Sequence, residues 1–442
     1  RSRYNLSGSI RWDQADLFGL DIRNQRHPLW SVGGSWALSE EAFLEDAGWL
    51  DHLKLRATYG INGNVDQSST TYFIVKQKTQ SNPIRTNYLT FDDDDLPNPK
   101  LRWEKTATLN LGVDFRLWTG RLRGSIEYYN RQASDLLVRR YMDPTIGTKS
   151  RVVNNGEMRN RGVELSLSAD LLDRNDWQMG LDLNFAYNKN KMLRVDHDET
   201  ASATSFIQAP TNYFIEGTSY NTLWAYRIGS IENGYPVALD KDGNPLVTFN
   251  DDGTVDEITT SLRGTDDLVN MGTLTPKYHG SATWRVKWRG FDFNAFFVFG
   301  GGHKLRDAVA SMSDQMGTQT VKEITERWTT GTPADRVRLY LDMPVENRTY
   351  ASTFDSWWRY GDLNVKDADY VKLRSVSLGW SLPDAACRRL GLTSLRLRVQ
   401  ADNLLTWCKA GSHIDPESYG LNAGSRSMAL PTTYSFGIST SF

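Results

Sequence analysis

From Ala107 onwards the apolar residues fall on every second position (Ala107, Leu109, Leu111, Val113, Phe115, Leu117), and between them lie Thr108, Asn110, Gly112, Asp114 and Arg116. A period of two is that of a β-strand, whose successive side chains point to opposite faces. After the connection Trp118-Thr119-Gly120-Arg121 the alternation resumes, with Leu122, Gly124, Ile126 and Tyr128 on one side and Arg123, Ser125, Glu127 and Tyr129 on the other. The pattern predicts a hairpin with arms of about ten residues or more, where strands of soluble proteins have about five or six. About ten tilted residues is the length at which a strand crosses a bilayer.

The same unit recurs. Val163, Leu165, Leu167, Ala169 and Leu171 lead down to Leu172-Asp173-Arg174-Asn175-Asp176, and Trp177, Met179, Leu181, Leu183, Phe185 and Tyr187 return. A third hairpin carries Tyr278, Gly280, Ala282, Trp284, Val286 and Trp288, turns at Arg289-Gly290, and comes back through Phe291, Phe293, Ala295, Phe297 and Phe299. Alternation also marks Tyr4 to Trp12, Trp30 to Leu38, Leu53 to Tyr59, Val376 to Leu382, Leu395 to Ala401 and Tyr434 to Phe442. Leu223 to Ile228 and Pro236 to Leu239 read as strands, joined to the strings Asp240-Lys241-Asp242-Gly243-Asn244 and Asn250-Asp251-Asp252-Gly253, which have hairpin-turn chemistry. Ser39-Glu40-Glu41 reads as the start of a short helix in a turn.

Short connections alternate with long ones, so tight turns are expected at one end of the sheet and long loops at the other. The long loops are expected around 61–102, 135–157, 190–218, 240–276, 300–369 and 403–432. Trp103, Trp118, Tyr128, Trp177, Tyr187, Trp288 and Tyr434 fall near predicted strand ends, as aromatic girdles at membrane interfaces require. With one face uniformly apolar and the other polar, the pattern predicts an all-β fold, a transmembrane antiparallel β-barrel. The rival is a soluble or surface all-β protein that binds or acts on carbohydrate. It would have shorter strands and more even turns, and a propeller would repeat at about forty to fifty residues. No such repeat is visible.

Composition adds limits. The chain has 442 residues, with 12% aromatic residues and 35 Gly against 14 Pro. No run of about eighteen apolar residues exists, which excludes a transmembrane helix and leaves a barrel open. A net charge of −2 removes the electrostatic case for nucleic acid. The chain opens at Arg1 without a charged segment followed by an apolar one, so no signal peptide is expected among these residues, and the sequence reads as beginning inside a strand.

No catalytic residue or cofactor is expected. Gly300-Gly301-Gly302-His303 lacks the Gly-Lys-Ser/Thr ending of a phosphate loop and reads as a strand-to-loop exit, and the six His form no metalloprotease string. Asp92, Asp93, Asp94 and Asp95 offer oxygen ligands for Ca²⁺. Asp240, Asp242 and Asn244 do so less well, because the Gly falls at the fourth place and no Glu stands at the twelfth. Trp357, Trp358 and Tyr360 are candidates for contact with a substrate or a lid, against the alternative that a large loop folds on its own aromatic core.

Several strings then carry a resemblance. Pro28-Leu29-Trp30-Ser31-Val32-Gly33-Gly34-Ser35-Trp36, Leu53-Lys54-Leu55-Arg56-Ala57-Thr58-Tyr59-Gly60 and Asn98-Pro99-Lys100-Leu101-Arg102-Trp103-Glu104 come first. Asn154-Asn155-Gly156-Glu157-Met158, Asn184-Phe185-Ala186-Tyr187-Asn188-Lys189-Asn190-Lys191, Thr275-Pro276-Lys277-Tyr278 and Ala401-Asp402-Asn403-Leu404-Leu405-Thr406-Trp407 follow in order. With them the sequence resembles the SusC/RagA-type TonB-dependent outer-membrane transporters of Bacteroidetes-like bacteria. The resemblance implies a barrel of about twenty-two strands, of which this chain supplies roughly the last thirteen by alternation. Plug and TonB-box would lie upstream, outside the chain. It further implies a Gram-negative outer-membrane location, contact with outer-membrane lipid, and uptake of an oligosaccharide or a peptide. Import would be driven by TonB, with a SusD-like surface lipoprotein as lid. The closing Phe442 is similar to the aromatic terminus of such barrels.

On that topology, with Phe442 at the periplasmic rim, Cys387 falls in a periplasmic connection and Cys408 in an extracellular loop. The strand between them holds them roughly 25 to 30 Å apart at about 3.3 Å per residue, beyond the reach of a disulfide. Both are therefore expected as free thiols.

Overall fold

The long alternating stretches form strands in the computed structural model, and twelve of the strands join edge to edge in chain order. The structure describes residues 3–14, 26–65, 75–79, 87–90, 98, 100–143, 145, 150–196, 201–314, 325, 327–329, 336–412, 414–420 and 426–442. The strands are β1 (Tyr4–Gln14), β2 (Arg26–Ala37), β3 (Leu50–Asn64), β4 (Lys76–Thr79), β5 (Asn87–Thr90), β6 (Glu104–Leu117), β7 (Leu122–Tyr141), β8 (Ser150–Arg174) and β9 (Trp177–Arg194). They continue with β10 (Thr222–Glu232), β11 (Tyr235–Leu239), β12 (Val247–Phe249), β13 (Val255–Ile258), β14 (Leu268–Thr273), β15 (Tyr278–Trp288) and β16 (Phe291–Gly301). The last are β17 (Lys304–Arg306), β18 (Val365–Asp367), β19 (Tyr370–Ser381), β20 (Ser394–Cys408) and β21 (Thr433–Ser441). Three α-helices are described, α1 (Ala203–Gln208), α2 (Ala351–Tyr360) and α3 (Asp384–Arg389).

The large sheet runs β1-β2-β3-β6-β7-β8-β9-β15-β16-β19-β20-β21, each pair antiparallel. Register turns the alternation into bands. Tyr4, Trp36, Leu55, Val113, Ile126, Leu165 and Phe185 are successive partners, and the row continues through Gly280, Phe299, Val371 and Trp407. One residue along, Lys54, Asp114, Ser125, Ser166, Asn184 and Ser281 form the polar row. Because the side-chain period is two, one register fixes both faces.

The apolar face carries no core. Leu6, Ile10, Val32, Leu111, Ile126, Val163, Leu378, Val399, Phe436 and Ile438 are all exposed. A soluble all-β protein would cover such a face. A barrel wall presents it to lipid, so the rival reading fails here.

Among the described residues, tight connections and longer ones alternate. Tight ones follow β6, β8 and β15, and Arg289 and Gly290 take the positive φ (45° and 88°) that a two-residue hairpin loop demands. At this end a ladder of aromatics crosses the sheet: Trp177 on Trp288 (5.3 Å), Trp288 on Phe291 (6.1 Å) and Phe291 on Trp380 (5.9 Å). The predicted short helix at Ser39 is a 3-10 turn over Leu38–Glu40. Beside it the Glu41 carboxylate accepts hydrogen bonds from the Tyr4 hydroxyl (2.6 Å) and the Trp36 indole (2.9 Å).

Several boundaries differ from expectation. Among the described residues the large sheet has twelve strands, and the strands predicted at Leu223 and Pro236 form as β10 and β11 of a separate three-stranded sheet. Most of 135–157 is strand, since β7 and β8 stay paired out to Tyr141 and Ser150. β9 likewise runs to Arg194 and β20 to Cys408. β7, β8 and β9 have 20, 25 and 18 residues, beyond the roughly ten that a bilayer needs. Where a strand leaves lipid neither face has to be apolar, so the period disappears while the ladder continues. Trp103, expected in a girdle, is instead buried with Leu101 against Val65, Leu137 and Val152.

Both cysteines are free, Cys387 in α3 at the tight-turn end and Cys408 at the far end of β20.

Candidate functional site

Two surfaces hold the candidate functional groups: the polar face of the sheet and the folded loops at its long-loop end. The polar face is held by ion pairs that span three strands. Arg56 on β3 donates to Asp114 on β6 (2.7 Å) and to Glu127 on β7 (2.8 Å), lying flat across Gly112. Asp292 on β16 and Arg396 on β20 meet at 2.7 Å over Gly379 of β19, where an added Cβ would stand 2.4 Å from the Asp292 carboxylate. Asp182 on β9 accepts from Ser168 on β8 (2.7 Å) and pairs with Arg285 on β15 (2.8 Å). Each half-exposed pair is worth at most about 1 kcal/mol. Together they fix a charged wall.

At the long-loop end, the β9–β15 and β16–β19 connections fold into one domain. Its core joins Phe206, Ile207, Trp224, Tyr226, Tyr235, Val237 and Leu268 from the first loop with Met312, Met343, Phe354 and Trp357 from the second. Phe354 packs on Tyr235 (4.5 Å between rings) and edge-on to Trp357 (5.8 Å). The two loops are also stapled by Asn347, which has no exposed surface. Its side chain donates to the Tyr235 hydroxyl (3.0 Å) and the Gly253 carbonyl (3.0 Å), and accepts from the Val255 N–H (2.9 Å). Asp362 accepts from the Ile228 N–H (3.2 Å), and burial raises its carboxyl above the usual range.

The domain joins the sheet through a neck, the β17–β18 pair, which continues β16 and leads into β19. Asp367 is paired with both Lys304 and Lys409, and those partners hold its carboxyl at about 2. Lys366 meets Asp307 at 2.5 Å. The last long loop is pinned to the polar face: Lys372 of β19, 2% exposed, binds Asp415 (2.9 Å) and Glu417 (2.7 Å), and Arg374 binds Glu417 (2.6 Å). His303 and Arg306 are buried at the neck, and burial lowers them to about 4 and about 10 respectively.

Of the residues singled out in the sequence, Trp357, Trp358 and Tyr360 all lie on α2. Trp357 is 2% exposed and belongs to the loop-domain core, whereas Trp358 and Tyr360 are half-buried at its edge, with Tyr360 facing Arg306 (5.4 Å, guanidinium to ring). Asp92 to Asp95 lie outside the described residues. The Asp240 carboxylate is occupied by its own turn, accepting from the N–H groups of Asp242 (2.9 Å) and Asn244 (2.7 Å) and the Asn244 amide (3.0 Å). Among the described residues no group of three or more His, Cys, Asp or Glu side chains is placed to hold a metal. Gly300 and Gly301 end β16, and Gly302 (φ 72°) turns the chain into the neck. Asn347 and Arg306 had no local signal. Lys304-Leu305-Arg306 facing Val365-Lys366-Asp367 does alternate, but over too few residues to be read as strands.

Residues 1–404 match the family model described as TonB dependent receptor-like, beta-barrel. TonB-dependent receptor P3 of Formosa agariphila is 27% identical over 426 residues, covering 92% of this chain and 40% of that protein. TonB-dependent receptor SusC of Bacteroides thetaiotaomicron is 30% identical over 270 residues, 58% of this chain and 26% of its own. The RagAB peptide importer in its closed-closed state superposes with a TM-score of 0.74 at 22% identity, over 99% of this chain and 46% of that one, which shows a shared fold. The chain spans less than half the length of each of these relatives.

Proposed function

The chain belongs to the TonB-dependent receptor-like β-barrel family, and from that premise we propose that it is the C-terminal barrel portion of an outer-membrane nutrient importer. Family members reside in the outer membrane. One observation carries the reading: an apolar row outside, an ion-paired polar row inside, and two long connections at one end folded into a domain of their own. Lipid contacts the first, the transported molecule passes the second, and the loops receive it. The cargo is an oligosaccharide or a peptide, the classes that SusC-like and RagA-like importers carry, and a SusD-like surface lipoprotein closes over the loops. Entry is driven by TonB through a segment upstream of this chain, and no covalent bond is made or broken. Trp358 and Tyr360, at the edge of the loop domain, are the side chains proposed to meet cargo or lid; Trp357 supports them from the core.

The test uses the full-length gene product. Outer membranes are extracted with detergent and the protein is run on a gel with and without boiling. A detergent-dependent band that shifts on heating and co-purifies with a lipoprotein is expected. A water-soluble protein with no heat shift overturns the reading.

A further inference from the structure

At the neck, the three long loops and the mouth of the sheet enclose a cavity of about 220 Å³, with walls from Leu223, Pro276, His303, Arg306, Tyr370 and Tyr419. We propose that this cavity is an anion-binding subsite, in which a carboxylate-sized anion answers the charge of Arg306.

Most charges of the neck are paired. Lys304 and Lys409 meet Asp367, Lys366 meets Asp307, Lys372 meets Asp415 and Glu417, and Arg374 meets Glu417. The carboxylates in these pairs are engaged, including Glu417, which also lines the cavity, and Asp369 accepts from the Gly302 N–H (2.7 Å). Arg306 meets none of them. It is 3% exposed; Nη2 donates to the Trp224 carbonyl (2.6 Å) and the guanidinium lies against the Tyr360 ring, but Nε and Nη1 are buried without a partner. Native proteins almost never bury a guanidinium unpaired, because desolvating the charge is costly unless an anion compensates. His303 Nδ1 is likewise buried and unpartnered. Burial keeps this imidazole neutral at pH 7, so it adds a hydrogen-bonding group without a second charge. The volume holds a carboxylate and several waters, each water taking about 30 Å³ of liquid volume.

The anion is either a free carboxylate or one borne by the transported molecule. Only the second source rests on the importer reading. The experiment titrates the full-length protein in detergent with acetate and, in parallel, with acetamide, which has the same size and no charge. The unfolding midpoint is expected to rise with the logarithm of acetate concentration and to ignore acetamide. Arg306→Met should abolish the acetate response, and Arg306→Lys, which keeps the charge but not the fork, should weaken it about tenfold. Equal responses to acetate and acetamide, or an Arg306→Met protein that still responds, overturn the proposal. Should Arg306→Met fail to fold, the wild-type pair and Arg306→Lys still decide. Triglycine against its C-terminal amide separates the sources: a response to the acid alone assigns a carried carboxylate, and a response to acetate alone assigns a free ion. An acetate response in a protein that fails the outer-membrane test would keep the site and discard the importer.

Discussion

The sheet and the loop domain are one chain folded by opposite rules. In the sheet, Leu111, Ile126 and Val163 face outward while Arg56, Asp114 and Glu127 pair on the other side. In the loop domain, Phe206, Phe354 and Tyr235 have no exposed surface. The difference is one of solvent. A strand in lipid must satisfy its backbone through its neighbours and can leave its apolar side chains facing outward; a domain in water must bury them against each other. It follows that the sheet's order lies in its ladders and the loop domain's in its core, so the two should fail differently.

The largest expected effect is in the core. Phe354→Ala removes a ring that packs on both Tyr235 and Trp357 and should destabilise the loop domain by about 3–5 kcal/mol. Hydrogen exchange on the full-length protein should then show lost protection in α2 and β10 with β6 and β7 unchanged. Loss that spreads into the sheet would mean that the two regions are one cooperative unit. Next comes a matched pair of charges. Leu111→Arg, on the apolar face near the middle of β6, should cost about 2–4 kcal/mol in urea unfolding from lipid vesicles. Leu341→Arg, on the exposed surface of the loop domain, should stay within about 0.5 kcal/mol. Equal and small costs would place the outer face in water and end the comparison.

The same contrast explains what could be read from the residues in order. The sheet was legible wherever lipid imposes a period of two, as in β6 or β16, and the positions of its tight turns followed from Arg289-Gly290 and its equivalents. It stopped being legible beyond the lipid, so the paired ends of β7 and β8 passed for a loop. The loop domain was nearly invisible. Asn347 and Tyr235 are 112 residues apart, and nothing local marks them as partners. The aromatic trio on α2 is visible in the sequence, but its division into a core residue, Trp357, and two edge residues depends on which way a short helix faces. Arg306 gave no signal, because an unanswered charge exists only once its neighbours are known.

A smaller effect than that in the core lies where the two regions join, and it is a matter of pH. Burial holds His303 at about 4, against an ordinary value of about 6.5, with Asp369 opposing that shift. Its folded value is the lower one, so an opened neck binds the proton first. The stability His303 contributes is therefore complete above about pH 6.5 and is lost as pH falls toward 4. Between pH 7.5 and 5 the neck should become easier to open by about 2 kcal/mol. Asp367 is silent in that window: its carboxyl is depressed to about 2 by Lys304 and Lys409, so its contribution holds down to about pH 4 and fails only as pH falls through about 2. Protection factors for β17 and β18 amides should accordingly drop from pH 7.5 to 5 while those of β6 do not, and His303→Gln should flatten the drop. A wild-type neck indifferent to pH, or a His303→Gln protein that follows the same curve, would show that His303 is not the group that titrates. The join would then be as insensitive to acid over this range as the sheet it stands on.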